Sequence, residues 1–143
     1  MSTNNLLLDT HVLIWLMNGD DALSKKSQKI IENARKDGNI FISAISVWEV
    51  GMLEQKQRII LNRPCLEWIK DALHYGIRLS SLTPEIAIES CQLPGYSAGD
   101  PADRIIIATA RIESLTLLTC DERILAYGKQ KLVSTMDAGN ALP

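Results

Sequence analysis

Four carboxylates stand where their surroundings oppose a charge. Asp9 closes the apolar run Leu6-Leu7-Leu8, and Asp121 closes Leu115-Thr116-Leu117-Leu118-Thr119-Cys120. Glu49 interrupts an apolar helical stretch, and Asp103 falls in the opening turn of another helix. A carboxylate is costly to desolvate, and like-charged neighbours raise that cost unless a proton or cation intervenes. If the four converge, the natural occupant is a hard divalent cation such as Mg²⁺ or Mn²⁺. A cation so held points toward phosphodiester chemistry.

Each acid also has a plain structural reading. Asp9 can cap a helix beginning near His11, its side-chain oxygen accepting a backbone N–H. Glu49 lies one turn from both Ile45 and Leu53, which places it on a largely buried stripe; the alternative is an exposed flank or a salt bridge with Lys56. Asp100 directly before Pro101 fits an N-cap with proline at the first helical position. Asp103 is then the third helical residue, either a site member or an acid complementing the helix dipole. Asp103 is the preferred site member and Asp100 the preferred cap. Thr119 could orient a carboxylate or contact a phosphate, or serve only as a β-branched strand residue. His11 reads first as a helix-start residue packing beside the sheet.

The elements that must position these residues alternate along the chain. Strands are expected at Leu6–Asp9, Asn39–Ser43, Ile77–Leu82 and Leu115–Cys120, with a possible edge strand at Leu132-Val133. Helices are expected at His11–Met17, Lys25–Lys36 capped by Ser24, Ile45–Gln55, Pro64 to Gly76, Thr83 to Leu93, Asp100 to Ser114 and Glu122–Tyr127. Such alternation predicts βαβ units and a mostly parallel sheet covered on both faces. In such folds ligands bind at the carboxyl ends of the strands, near a topological switch point. Asp9 and Asp121 fall at those ends.

The 143 residues suit one domain, 1–143, and 46% hydrophobic with 22% charged residues is ordinary soluble composition. No apolar run has the length of a membrane span, and Met1–Asn5 lacks the pattern of a signal peptide. Cys65, Cys91 and Cys120 are odd in number and form no CxxC pair, as expected of buried or semi-buried free thiols in a reducing cytoplasm. With only His11 and His74 to supplement them, they do not suggest zinc. The net charge of −2 advertises no broad basic face. Lys25, Lys26, Lys29, Lys129 and Lys131 could form local basic patches, or simply solvated helix faces. Of Trp15, Trp48 and Trp68, at least two are expected in the core and the remainder on a contact surface.

The ordered motifs resemble a known family. Leu6–Trp15, then Ser43–Val50, then Asp100–Ala110, then Leu117–Asp121 are similar, in sequence and order, to PIN-domain toxins of the VapC type. The resemblance spans nearly the whole chain. It implies a PIN-like three-layer α/β/α sandwich around a mostly parallel sheet of four to five strands. It implies an Mg²⁺- or Mn²⁺-dependent endoribonuclease, the toxin of a toxin–antitoxin pair, acting as a homodimer restrained by an antitoxin. The family's acidic quartet carries over to Asp9, Glu49, Asp103 and Asp121, with Thr10 following the first acid. Two rival readings remain: a PIN-like module that binds RNA or protein without cutting, and a phosphohydrolase with Asp9 as nucleophile. The latter would want a second aspartate two positions on, where this chain has His11.

Overall fold

The computed structural model describes residues 5–97 and 99–139. Its centre is β1 (Leu6–Leu8), whose three leucines have no exposed surface. This strand pairs in parallel with β2 (Ile40–Ser43) on one side and β4 (Thr116–Thr119) on the other. Beyond them lie β3 (Arg78–Ser80) and β5 (Thr135–Asp137), giving a five-stranded parallel sheet of order β3-β2-β1-β4-β5. A strand buried on both faces needs apolar residues at every position, and β1 has them.

Strand alternation then divides the core in two. Leu6 and Leu8 join Ile40, Ile42 and Leu118 in one cluster, which packs against α1 (Thr10–Asn18), α2 (Lys25–Lys36), α3 (Ala44–Gln55) and α4 (Cys65–His74). Leu7 and Leu117 point the other way, toward Ile86 of α5 (Pro84–Cys91), Ile106 and Ile107 of α6 (Pro101–Glu113), and Ile124 of α7 (Glu122–Lys129). The result is the expected three-layer sandwich. Trp68 is fully in the first cluster and Trp15 packs against it, whereas Trp48 is 58% exposed. The three cysteines are unpaired, and Cys91 is exposed rather than semi-buried.

The chain runs outward from β1 to β2 and β3, then returns to β4 and β5 on the other side. The direction therefore reverses between β1 and β4, at the crevice where doubly wound folds place ligands. Leu8 is in register with Leu118, so Asp9 and Thr119 emerge side by side at that point. The Asp9 backbone N–H, donating to the Leu118 carbonyl at 3.0 Å, extends the pairing to the rim.

Several predicted boundaries shift. β3 has three residues where six were expected, because only Arg78–Ser80 find partners on β2. α7 continues two residues past Tyr127, to Lys129. The edge strand is not at Leu132-Val133 but at Thr135–Asp137. Lys131 adopts a left-handed φ of 63°, turning the chain back toward the sheet. Val133 then plugs the second core cluster, with Leu132 packed against it, instead of joining the ladder.

Close approach of α7 to β5 depends on Gly128. A Cβ there would lie 2.1 Å from Thr135 Oγ1 and under 3 Å from two further Thr135 atoms. Gly128→Ala is expected to destabilise the fold by about 1–3 kcal/mol through overpacking. Thr135→Ala in the same chain should recover part of the loss, as read by urea unfolding. An unchanged midpoint in the single variant would refute this contact as a packing constraint.

Candidate active site

The rim above β1 and β4 holds a pocket of about 240 Å³, lined by Asp9, His11, Glu49, Asp100, Asp103, Cys120 and Asp121. All four acids singled out in the sequence meet there. Five carboxylates line the pocket, and neither lysine nor arginine does.

The five acids arrive on four elements, Asp100 and Asp103 both at the start of α6. Asp9 caps α1, its Oδ1 accepting the Thr10 N–H at 2.8 Å. Its Oδ2 accepts from Thr119 Oγ1 at 2.7 Å. The same Thr119 oxygen accepts the Asp121 N–H at 3.0 Å, so one hydroxyl ties both strand-end acids together. Asp121 caps α7, with Oδ1 accepting from the N–H groups of Arg123 and Ile124. Cap and site roles coexist in both acids, because a cap engages one face of a carboxylate and leaves other lone pairs to the pocket.

Glu49 projects from the middle of α3 and is 9% exposed. The Thr10 hydroxyl donates to its Oε1 at 2.6 Å and also meets Ser46 Oγ at 2.8 Å. Thr10 and Ser46 are buried, so this small network fixes the glutamate rotamer from below. Ser46 carried no sequence signal beyond its place one turn before Glu49, on the same face of α3. The sequence alternative, a Glu49–Lys56 salt bridge, does not form.

Asp100 departs from the expected division of labour. It does cap α6, with Oδ1 accepting from the N–H of Ala102 at 2.9 Å and of Asp103 at 3.4 Å. It also joins Glu49 and Asp103 in a triad whose carboxylate oxygens lie within 4.8 Å of one another. Asp103 was the preferred site member and Asp100 the preferred cap, with at most a supporting part in the site. Helix geometry overturns that separation: the N-cap and third helical residue both face outward from the start of α6, and Glu49 of α3 meets both.

This crowding has an electrostatic consequence. Asp103 is pushed up from 3.8 to about 7, first by burial and then by Asp100, Asp9, Asp121 and Glu49. Burial also raises Asp9, against the lowering effect of its Thr119 and Thr10 hydrogen bonds. Glu49 rises through burial, with Asp9 and Asp100 adding repulsion and the Thr10 hydrogen bond opposing it. An all-oxygen donor set of this density, held by hydroxyls rather than by basic side chains, fits a hard divalent cation. His11 lines the mouth and is exposed, rather than packed beside the sheet as expected.

Comparison with known proteins agrees with this arrangement. The PIN-domain family model matches residues 6–130. Ribonuclease VapC22 of Mycobacterium tuberculosis is 34% identical over 122 residues, which span 85% of this chain and 91% of that protein. The structure of VapBC2 from Rickettsia felis, bound to a DNA fragment from its promoter, is similar in fold, with a TM-score of 0.67 and 16% identity. That match covers 92% of this chain and 97% of the other. A toxin–antitoxin complex from Klebsiella pneumoniae has a TM-score of 0.54 and 25% identity, over 81% of this chain and 86% of its own. The chain belongs to the PIN-domain family, and within it to the VapC type.

Proposed function

We propose that this protein is a divalent-metal-dependent endoribonuclease, the toxin of a toxin–antitoxin pair. The observation that carries the reading is the pocket at the switch point, where five carboxylates converge with His11 beside them and neither lysine nor arginine in the lining. Asp9, Glu49, Asp103 and Asp121 are the residues that hold the metal, and Asp100 adds a fifth carboxylate beside Glu49 and Asp103. Mg²⁺ or Mn²⁺ suits such oxygen donors. When bound, such a cation polarises the scissile phosphate, lowers the pKa of an attacking water and stabilises the leaving oxygen.

The chain's own contribution is preorganisation. Thr119 holds the Asp9 carboxylate and the Asp121 backbone together across the β1–β4 crevice. Thr10 and Ser46 hold Glu49 toward the same point. The carboxylates thus need little rearrangement to receive a cation. Hydrolysis would leave a 5′-phosphate and a 3′-hydroxyl.

The named ribonuclease relative supports RNA as substrate, and the toxin–antitoxin complex supports an antitoxin protein as partner. Trp48, Ile60, Leu66 and Ile88 are exposed apolar side chains available to an antitoxin or to a second copy in a homodimer. Among the described residues no helix is long and apolar enough to cross a membrane. The unpaired cysteines support a cytoplasmic setting.

Three outcomes test the reading. Incubated with total RNA, the antitoxin-free protein should cut in Mg²⁺ or Mn²⁺ and not in excess EDTA. Asp9→Asn should fold but lose cleavage by at least about a hundredfold. Undiminished cutting in EDTA, or by Asp9→Asn, would sink the mechanism, and RNA binding with no cleavage under any metal would identify a non-cutting module. Thr10→Val removes the hydroxyl that anchors Glu49, so calorimetric Mn²⁺ affinity should fall about 10–100-fold, with Thr10→Ser restoring it. Equal affinities in all three proteins would remove Thr10 from the metal site's support.

A further outcome concerns pH. Asp103 titrates near 3.8 unfolded and near 7 folded, so between those values the folded chain holds the extra proton. Stability of the metal-free protein should therefore fall as pH rises through this window, because ionisation is opposed only in the folded state. Bound Mg²⁺ compensates the ionised carboxylates and should flatten that slope. Melting temperatures across the window, in EDTA and in Mg²⁺, decide this; parallel curves would contradict it.

A further inference from the structure

A second cleft, of about 500 Å³, is lined by Tyr96 and Ser97 together with Arg123 and Ala126 of α7 and Gln130 just past the end of that helix. The start of α7 links the two cavities: Asp121, its N-cap, lines the acidic pocket, and Arg123 lines the cleft. Arg123 follows Asp121 by two residues and donates its backbone N–H to that carboxylate at 2.8 Å. Burial pushes the Tyr96 phenol up to about 12, and the charges of Asp103 and Asp121 contribute.

The cleft is preformed. Arg104 donates to the carbonyls of Ser90 and Tyr96, each at 2.8 Å, pinning the segment that carries Tyr96. Tyr127 donates to the Pro94 carbonyl at 2.6 Å and meets the Tyr96 ring edge-on, with centroids 5.1 Å apart. Tyr96 lines the cleft but keeps its hydroxyl enclosed, without a hydrogen-bond partner among the described residues. One charged group there is unused by the fold. Arg123 is exposed, and its guanidinium makes no hydrogen bond or ion pair among the described residues.

An unengaged guanidinium selects phosphate by paired N–H donors. The Gln130 amide and the Ser97 hydroxyl that line the same cleft suit the polar edges of a nucleoside better than an apolar ligand. The position matters as much as the chemistry. The acidic pocket repels a polyanion except at a bound cation, and Arg123 is a cation on its border. A strand with its scissile phosphate over the carboxylates must run on into a neighbouring cavity.

We propose that this cleft is the subsite for the nucleotide flanking the scissile phosphate, with Arg123 holding that nucleotide's phosphate and Ser97 and Gln130 contacting its nucleoside. The assignment rests on the ribonuclease reading above. It makes Arg123 a substrate-binding residue contributed by the same helix that Asp121 caps.

The test is binding, separated from cleavage. In the Asp9→Asn background with Mg²⁺, a short fluorescein-labelled single-stranded RNA is titrated by anisotropy at several salt concentrations. Arg123→Ala should weaken binding about three- to tenfold and reduce the slope of log K against log salt by about 0.7, the loss of one phosphate contact on a single strand. Gln130→Ala, which removes the exposed amide of the cleft, should weaken binding while leaving the melting temperature unchanged. RNA affinity unchanged in both variants overturns the subsite and leaves the ribonuclease reading standing. So does a loss of antitoxin binding in Arg123→Ala with RNA binding intact, which would give the cleft to the protein partner. No RNA binding by the Asp9→Asn protein at all would count against the ribonuclease reading itself and take the subsite with it.

Discussion

Mutual repulsion among carboxylates at one rim of the sheet is the constraint around which the structure is organised. Asp9, Glu49, Asp100, Asp103 and Asp121 share a pocket that holds no lysine or arginine. Burial and like charge together carry Asp103 to about 7, far from an ordinary aspartate. A fold tolerates this only if the remainder is stable enough to hold the acids together. The central strand supplies that stability, with three leucines wholly out of water and paired on both sides.

Hydroxyls rather than cations do the local positioning. Thr119 bridges Asp9 and Asp121, and Thr10 with Ser46 anchors Glu49. A lysine in these places would neutralise the acids and occupy the room that a metal ion needs. A hydroxyl orients a carboxylate while leaving its charge in place. The same economy appears at the helix starts. Asp9, Asp100 and Asp121 each cap a helix and line the pocket, so the caps fix the approach of α1, α6 and α7 to the site.

Much of this was legible in the sequence, for identifiable reasons. Leu6-Leu7-Leu8 read as a strand buried on both faces, because a short apolar run flanked by polar residues suits one. Asp100-Pro101 announced a helix start, since proline suits the first helical position. Where the reading failed, tertiary packing had overruled a local signal. Leu132-Val133 is as good a strand as any by composition, but the left-handed Lys131 directs the pair into the core and hands the ladder to Thr135–Asp137. Asp100 was separated from the site because sequence position shows a cap and hides what stands opposite it.

The sequence by itself determined the alternation of strands and helices, the acids at the strand ends and the family whose ordered motifs they match. Those features depend on residue type, spacing and near neighbours, which a linear chain displays. Only the tertiary structure decided that Asp100 joins Glu49 and Asp103, that Thr119 serves two acids at once, and that Arg123 borders the pocket with its guanidinium unengaged. These are contacts between elements far apart in the chain. They arise where a five-stranded sheet reverses direction, a juxtaposition no local pattern encodes.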